Sequence, residues 1–150
     1  MTDENMLDAP EVGLAQEALS GGFQLRNTNT GKCLTVSGGS GSDTFLQACS
    51  GGSTQRWGFD GGFLKHIATG LCVDVENASV ANGAAVQVYD CTSGDNQDFR
   101  FYPYLTSSGL SVTNWYLIAK HSSKCVQPGG TGGIYAVQSS TCQGAWNVVF

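Results

Sequence analysis

Five side chains in the middle of the chain could act together on one ligand. Asp74 is a carboxylate, Gln87, Asn96 and Gln97 are carboxamides, and Tyr89 is an aromatic ring. They fall between Gly70 and Phe101, in a stretch where Cys72 and Cys91 bracket a polar, glycine-containing loop. In an extended strand running into Cys91, Val86, Val88 and Asp90 point one way while Gln87, Tyr89 and Cys91 point the other. Carboxylate, amides and ring then surround one small surface hollow. An ionised carboxylate offers only acceptors, an amide offers donor and acceptor, and a ring offers a flat apolar face. That set suits a polyol such as a sugar.

The elements that must position these groups recur. The first copy carries Phe23-Gln-Leu-Arg, Cys33-Leu-Thr-Val36, Leu46-Gln-Ala-Cys49 and Gln55-Arg-Trp-Gly-Phe59. The second carries Phe63-Leu-Lys-His, Cys72-Val-Asp-Val75, Gln87-Val-Tyr-Asp-Cys91 and Gln97-Asp-Phe-Arg-Phe101. The third carries Trp115-Tyr-Leu-Ile, Lys124-Cys-Val-Gln127, Ala136-Val-Gln138, Cys142 and Trp146-Asn-Val-Val-Phe150. A repeated unit of short hydrophobic strands, with Gly, Ser, Thr and Asn between them, predicts a closed all-β structure. The repeats span about 23–60, 61–102 and 115–150.

These motifs resemble the ricin B-chain-like, or R-type, lectin family. The resemblance rests on Gln-x-aromatic-x-Phe at Gln55–Phe59 and Gln97–Phe101, on Cys72–Val75, and on Gln87-x-Tyr89-x-Cys91. It covers residues 22–150 and implies a β-trefoil that binds glycans. By the same resemblance, Asp74 accepts hydrogen bonds from two adjacent sugar hydroxyls and Tyr89 lies against the ring's C–H face. Asn96 serves the other edge, Gln87 lines the pocket or orients Asp74, and Gln97 supports it from beneath. The family's commonest ligands imply terminal galactose or N-acetylgalactosamine, bound by a toxin's cell-binding subunit or a secreted agglutinin. The alternatives are a non-catalytic module of a glycoside hydrolase and a trefoil that mainly engages a partner protein. A single shallow site predicts weak binding, so homo-oligomers or a partner subunit would supply avidity.

The other copies are depleted. In the first, Thr35, Phe45 and Gln47 stand for Asp74, Gln87 and Tyr89. In the third, Gln127 stands for Asp74, Ser140 for the aromatic, and Gln138 matches Gln87. The Asn82-Gly83 turn is expected to form a rim over the second site.

Six cysteines, two per repeat, predict pairs within each copy: Cys33–Cys49, Cys72–Cys91 and Cys125–Cys142. The chain-entropy model assigns each such loop about 3 kcal/mol. No Cys-x-x-Cys pair or histidine cluster suggests zinc, so neither a metal nor another cofactor is expected. Disulfides imply an oxidising, extracellular setting, although residues 1–22 have no apolar run resembling a secretory signal.

The net charge is −5. Asp3, Glu4, Asp8, Glu11 and Glu17 precede the first base, Arg26, after which seven acids face seven bases. With no basic stripe, nucleic acid and anionic membranes are unfavoured, and direct membrane insertion is not expected. Residues 1–22 form an acidic extension or linker, with weak helical tendency from Asp8 to Leu19. The stretch from Tyr102 to Asn114 is an inserted loop, expected to cover the barrel base or meet a partner. His66 and His121 lack a nucleophile at any motif spacing, and no second acid is set to complete a glycosidase pair. The expectation is a binding domain rather than an enzyme.

Overall fold

The computed structural model describes residues 22–106 and 109–150. Twelve strands follow one another as three sets of four. The first set is β1 (Gln24–Asn27), β2 (Cys33–Thr35), β3 (Phe45–Gln47) and β4 (Trp57–Asp60). The second is β5 (Phe63–His66), β6 (Cys72–Val75), β7 (Val86–Tyr89) and β8 (Phe99–Thr106). The third is β9 (Gly109–Ala119), β10 (Cys125–Gly129), β11 (Tyr135–Ser139) and β12 (Trp146–Val149).

Within each set the middle two strands pair as an antiparallel hairpin: β2 with β3, β6 with β7, β10 with β11. The last strand of each set pairs with the first strand of the next: β4 with β5, β8 with β9, and β12 back to β1. Closure of β12 on β1 leaves neither terminal strand with a free edge, and three hairpins stand on one closed scaffold. This is a β-trefoil.

A second threefold relation matters for the site. The loop of each hairpin, or the first residue of its second strand, bridges to a strand of the next repeat's hairpin: Asp43 opposite Gln87, Ala85 opposite Val137, Tyr135 opposite Phe45. Every hairpin face is therefore bordered by residues of the preceding repeat.

The core follows from strand alternation. Leu34 faces Leu46 across the first hairpin and Val73 faces Val88 across the second, all buried. Trp57, Phe99 and Trp146 occupy equivalent places at the start of each closing strand and are 0–1% exposed. The two indoles bond alike, Trp57 Nε1 donating to Leu34 O at 3.0 Å and Trp146 Nε1 to Val126 O at 2.9 Å. Three disulfides, Cys33–Cys49, Cys72–Cys91 and Cys125–Cys142, each close one hairpin.

Two expectations are corrected. The insertion from Tyr102 to Asn114 is not a loop. It lengthens β8 and β9 into a ribbon, paired from Phe99 opposite Ala119 to Thr106 opposite Gly109. The register shifts between Pro103 and Leu105, next to a nitrogen that has no hydrogen to donate. The third hairpin is the other. Its register sets Val137, not Gln138, opposite Gln127, and Ser139, not Ser140, in the place of Tyr89. Cys142 lies one residue further from its strand than Cys91 does, and a one-residue slip exchanges the two faces. The weak helical tendency read from Asp8 to Leu19 lies outside the described residues.

Candidate functional site

The second hairpin brings the predicted residues together. Asp74 on β6 is directly opposite Gln87 on β7, and Cys72 is opposite Tyr89, so Asp74, Gln87 and Tyr89 share a face. The other face carries Val73 and Val88 into the core. Asn96 and Gln97 arrive on a short 3-10 turn, Asp95–Gln97, just before β8.

Asp74 is the hub. It is 4% exposed, and three amides converge on it. Gln87 Nε2 donates to Oδ1 at 3.0 Å, while Asn96 Nδ2 and Gln97 Nε2 donate to Oδ2 at 3.2 and 2.8 Å. These donors are side chains, so the carboxylate is not a cap for turn backbone. A carboxylate has about four acceptor positions. Three are filled, which leaves room for about one ligand hydroxyl rather than the expected two.

Gln97 is wholly buried. Its second Nε2 hydrogen goes to Asp90 O at 2.9 Å and its Oε1 accepts Thr92 N at 2.8 Å. Every polar atom is committed, so Gln97 braces the carboxylate. Asn96 Nδ2 also reaches Val75 O at 3.1 Å, so the hydrogen bonds of Asn96 leave Oδ1 as its free acceptor among the described residues. That Oδ1 would lie 2.7 Å from a Cβ on Gly94, and a larger residue there would push Asn96 away. Tyr89, 43% exposed, supplies the apolar surface beside these polar groups.

The first repeat keeps the brace without the charge. Gln55 Nε2 donates to Thr35 Oγ1 at 3.1 Å and to Ala48 O at 2.9 Å, while Oε1 accepts Ser50 N at 2.7 Å. This repeats the geometry of Gln97, with Thr35 in the place of Asp74. In the third repeat, Gln127 Oε1 accepts Gln143 N at 3.0 Å and Val137 stands across from it. Gln138, matched to Gln87 by sequence spacing, is fully buried. It donates to Ser79 O at 2.7 Å and Ala81 O at 2.8 Å and accepts from Ser122 Oγ at 2.9 Å.

The Asn82-Gly83 turn is also displaced from its expected role as a rim. Asn82 Oδ1 accepts Ser140 N and Gly83 N donates to Gln138 O, each at 2.8 Å, so the turn is bonded to the third repeat. The neighbour that does border the second site comes from the first repeat. Asp43 bridges to Gln87 and is exposed. Nothing in the repeat identifies Asp43; the only local cue is its place at the end of the Gly/Ser run from Ser37 to Ser42.

Both histidines hold loops. His66 Nε2 donates to Ser53 O and Nδ1 accepts from Thr69 Oγ1, each at 2.9 Å, against the Trp57 ring. His121 Nε2 donates to Ser79 O at 2.7 Å. Burial holds the His66 pKa below 6.5, while the bond to Ser53 O opposes that shift. The unfolded chain therefore takes up this proton at a higher pH than the folded one. The His66 contribution to stability is full above 6.5 and is lost as pH falls through that value towards the folded pKa. Urea midpoints measured from about pH 8 to pH 5 are expected to decline on the acid side, with a shallower decline in His66→Gln.

Among the described residues, no group of three or more His, Cys, Asp and Glu side chains could hold a metal ion, and no helix is long and apolar enough to cross a membrane.

Comparison with known proteins bears on the whole arrangement. The family described as "Ricin-type beta-trefoil lectin domain" matches residues 21–111 and 60–150. The designed threefold-symmetric protein ThreeFoil is 28% identical with a TM-score of 0.72, over 85% of this chain and 97% of its own. An exo-β-1,3-galactanase from Clostridium thermocellum is 21% identical with a TM-score of 0.73, over 87% of this chain and 30% of its own. A Polyporus squamosus lectin is 15% identical with a TM-score of 0.68, over 85% of this chain and 48% of its own. The chain thus spans less than half of either natural protein.

Proposed function

Because this chain belongs to the ricin-type β-trefoil lectin family, a family of carbohydrate-binding domains, we propose that it binds glycans through one competent site in its second repeat. The observation that carries the reading is Asp74, fixed by three amides on the same face as the exposed Tyr89 ring. Asp74 accepts a hydroxyl through its remaining lone pair, and a charge-assisted bond of this kind is shorter and stronger than a neutral one. Gln87 and Asn96 orient the carboxylate and border the ligand. Tyr89 packs on the sugar's C–H face with little loss of side-chain freedom. Gln97 acts only through Asp74.

The ligand class we favour is terminal galactose or N-acetylgalactosamine. One structural neighbour supports it by name, an exo-β-1,3-galactanase; in the sialylated epitope bound by the Polyporus lectin, galactose is the internal residue. Three disulfides support an extracellular setting, where such glycans are displayed. The domain is a binding module without catalytic residues of its own, serving a toxin, a secreted agglutinin or a glycosidase. The arrangement of Asp74 supports this, since its side-chain partners among the described residues are three amides and no second acid is among them.

One shallow site predicts a Kd of about a millimolar to some hundreds of micromolar. A glycan array probed with multivalently displayed wild-type chain and with Asp74→Ala tests the reading. Binding to galactose-terminated glycans that disappears in the variant is the expected result. Galactoside binding that survives Asp74→Ala would move the site elsewhere, and no binding by the wild type would favour a protein-interaction scaffold. Turnover of a chromogenic galactoside would contradict the non-catalytic assignment.

A further inference from the structure

The row formed by Asp74 and Gln87 continues past its own hairpin. Residues 41–44 of the first repeat run alongside β7, where Thr44 N donates to Val86 O at 2.9 Å and Val88 N donates to Ser42 O at 2.9 Å. Gly41 N reaches Val88 O at 2.7 Å, and Asp90 N donates to Ser40 Oγ at 3.0 Å. Within this ladder Asp43 is the partner of Gln87. Directly paired antiparallel residues present their side chains to one face. Asp74, Gln87 and Asp43 therefore form a line across three adjacent strands, with Gln87 in the centre.

The two carboxylates have different surroundings. Asp74 is buried and holds three amide donors, whereas Asp43 is exposed and no described residue donates a hydrogen bond to its carboxylate. A Cβ built on Gly39 or Gly41, in the same loop, would meet nothing within 4 Å. Their backbones are two strand spacings apart, about 10 Å. Side chains that stand parallel on one face keep about that separation, which suits two acceptors on successive residues of a glycan better than two acceptors on one pair of adjacent hydroxyls. They can hold successive residues of one glycan.

We propose that Asp43, supplied by the first repeat, is a specificity-determining residue that binds a hydroxyl of a second, neutral sugar linked to the one held at Asp74. This deepens the reading of the second repeat as a sugar site and rests on it. The same charge discriminates against acidic sugars. Asp90 and Asp95, next to Tyr89 and Asn96 in sequence, are also exposed, and Lys120 lies 3.7 Å from Asp95 and 3.9 Å from Asp98. An anionic second residue would meet like charge at Asp43, which is how an interface rejects a wrong partner.

Titration calorimetry of the intact chain with methyl β-galactoside, lactose, β-1,3-galactobiose and 3′-sialyllactose tests this. At least one neutral disaccharide is expected to bind about 3- to 10-fold more tightly than the methyl galactoside, the span of one net hydrogen bond. In Asp43→Ala that ratio should fall to about one. In Asp43→Asn, which keeps an acceptor and loses the charge, sialyllactose should bind more tightly than it does to wild type at low salt. A disaccharide advantage absent from the wild type, or one that survives Asp43→Ala, overturns the proposal while leaving the monosaccharide site standing. Failure of the wild type to bind even the methyl galactoside would overturn the underlying reading together with it. Asp43 is exposed, so its variants should unfold at the wild-type urea midpoint, which excludes misfolding as the cause.

Discussion

Asp74→Thr is expected to leave the domain folded and to abolish sugar binding. The first repeat supplies the reason. Thr35 occupies the equivalent position, where its Oγ1 donates to Cys33 O at 2.8 Å and accepts from Gln55 Nε2 at 3.1 Å. Gln55 and Gln97 are otherwise bonded alike, each to the carbonyl of the residue before the second cysteine of its repeat and to the backbone N–H of the residue after it. A threonine at 74 therefore inherits a working brace, with Cys72 O at the matching place for its hydroxyl. Gln87 loses its acceptor but retains 7% exposure, so the net cost should be about 1 kcal/mol. Binding has no such substitute. A hydrogen bond to a charged group contributes about 1.5–3 kcal/mol, and removing it from a millimolar-class site places the Kd beyond measurable concentrations. Calorimetry and urea unfolding on the same preparations separate the two effects. Retained galactoside affinity in a folded Asp74→Thr protein would remove Asp74 from the site. Asp74→Asn should cost more stability, because its Nδ2 would meet amide donors head-on in a buried place.

The largest loss of stability is expected at Trp146. Its indole is fully buried beside the closure of β12 on β1, and its Nε1 satisfies Val126 O. Replacement by alanine removes a large side chain from a packed core and orphans a buried carbonyl. The cost should be about 4 kcal/mol, a large share of the roughly 5–15 kcal/mol that stabilises a small domain. Trp146→Phe should cost less than half as much. Phe99 already stands at this position in the second repeat, 1% exposed, and fills it without an N–H. Guanidinium unfolding should give the order wild type, Phe, Ala in midpoint with an unchanged slope. Equal losses in the two variants would mean that the indole hydrogen bond, not ring volume, dominates.

How far the sequence could be read depends on which interactions are local. A hairpin's alternation lies within a few residues, so Val73 and Val88 could be sent to the core and Asp74, Gln87 and Tyr89 to the opposite face. Two cysteines per copy, closing loops of similar length, likewise pair inside their own repeat. The five residues of the second site all lie within one such unit, which is why their convergence was legible. The third hairpin was not. Counting back from Cys142 assumed the spacing of Cys91, and one additional residue between strand and cysteine turned Gln138 from the site face to the boundary with the second repeat.

The sequence by itself determined the threefold repetition, the three disulfide pairs and the side chains gathered around Asp74. Each follows from periodicity and covalent spacing inside a single copy. Only the tertiary structure decided what lies between copies: the β8–β9 ribbon, the docking of residues 79–83 onto the third repeat, and Asp43 beside Gln87. These arrangements exist because β12 closes on β1 and fixes where each hairpin loop meets its neighbour. No pattern within one repeat encodes that meeting, since the contacting residues belong to different repeats and come together only when the barrel closes.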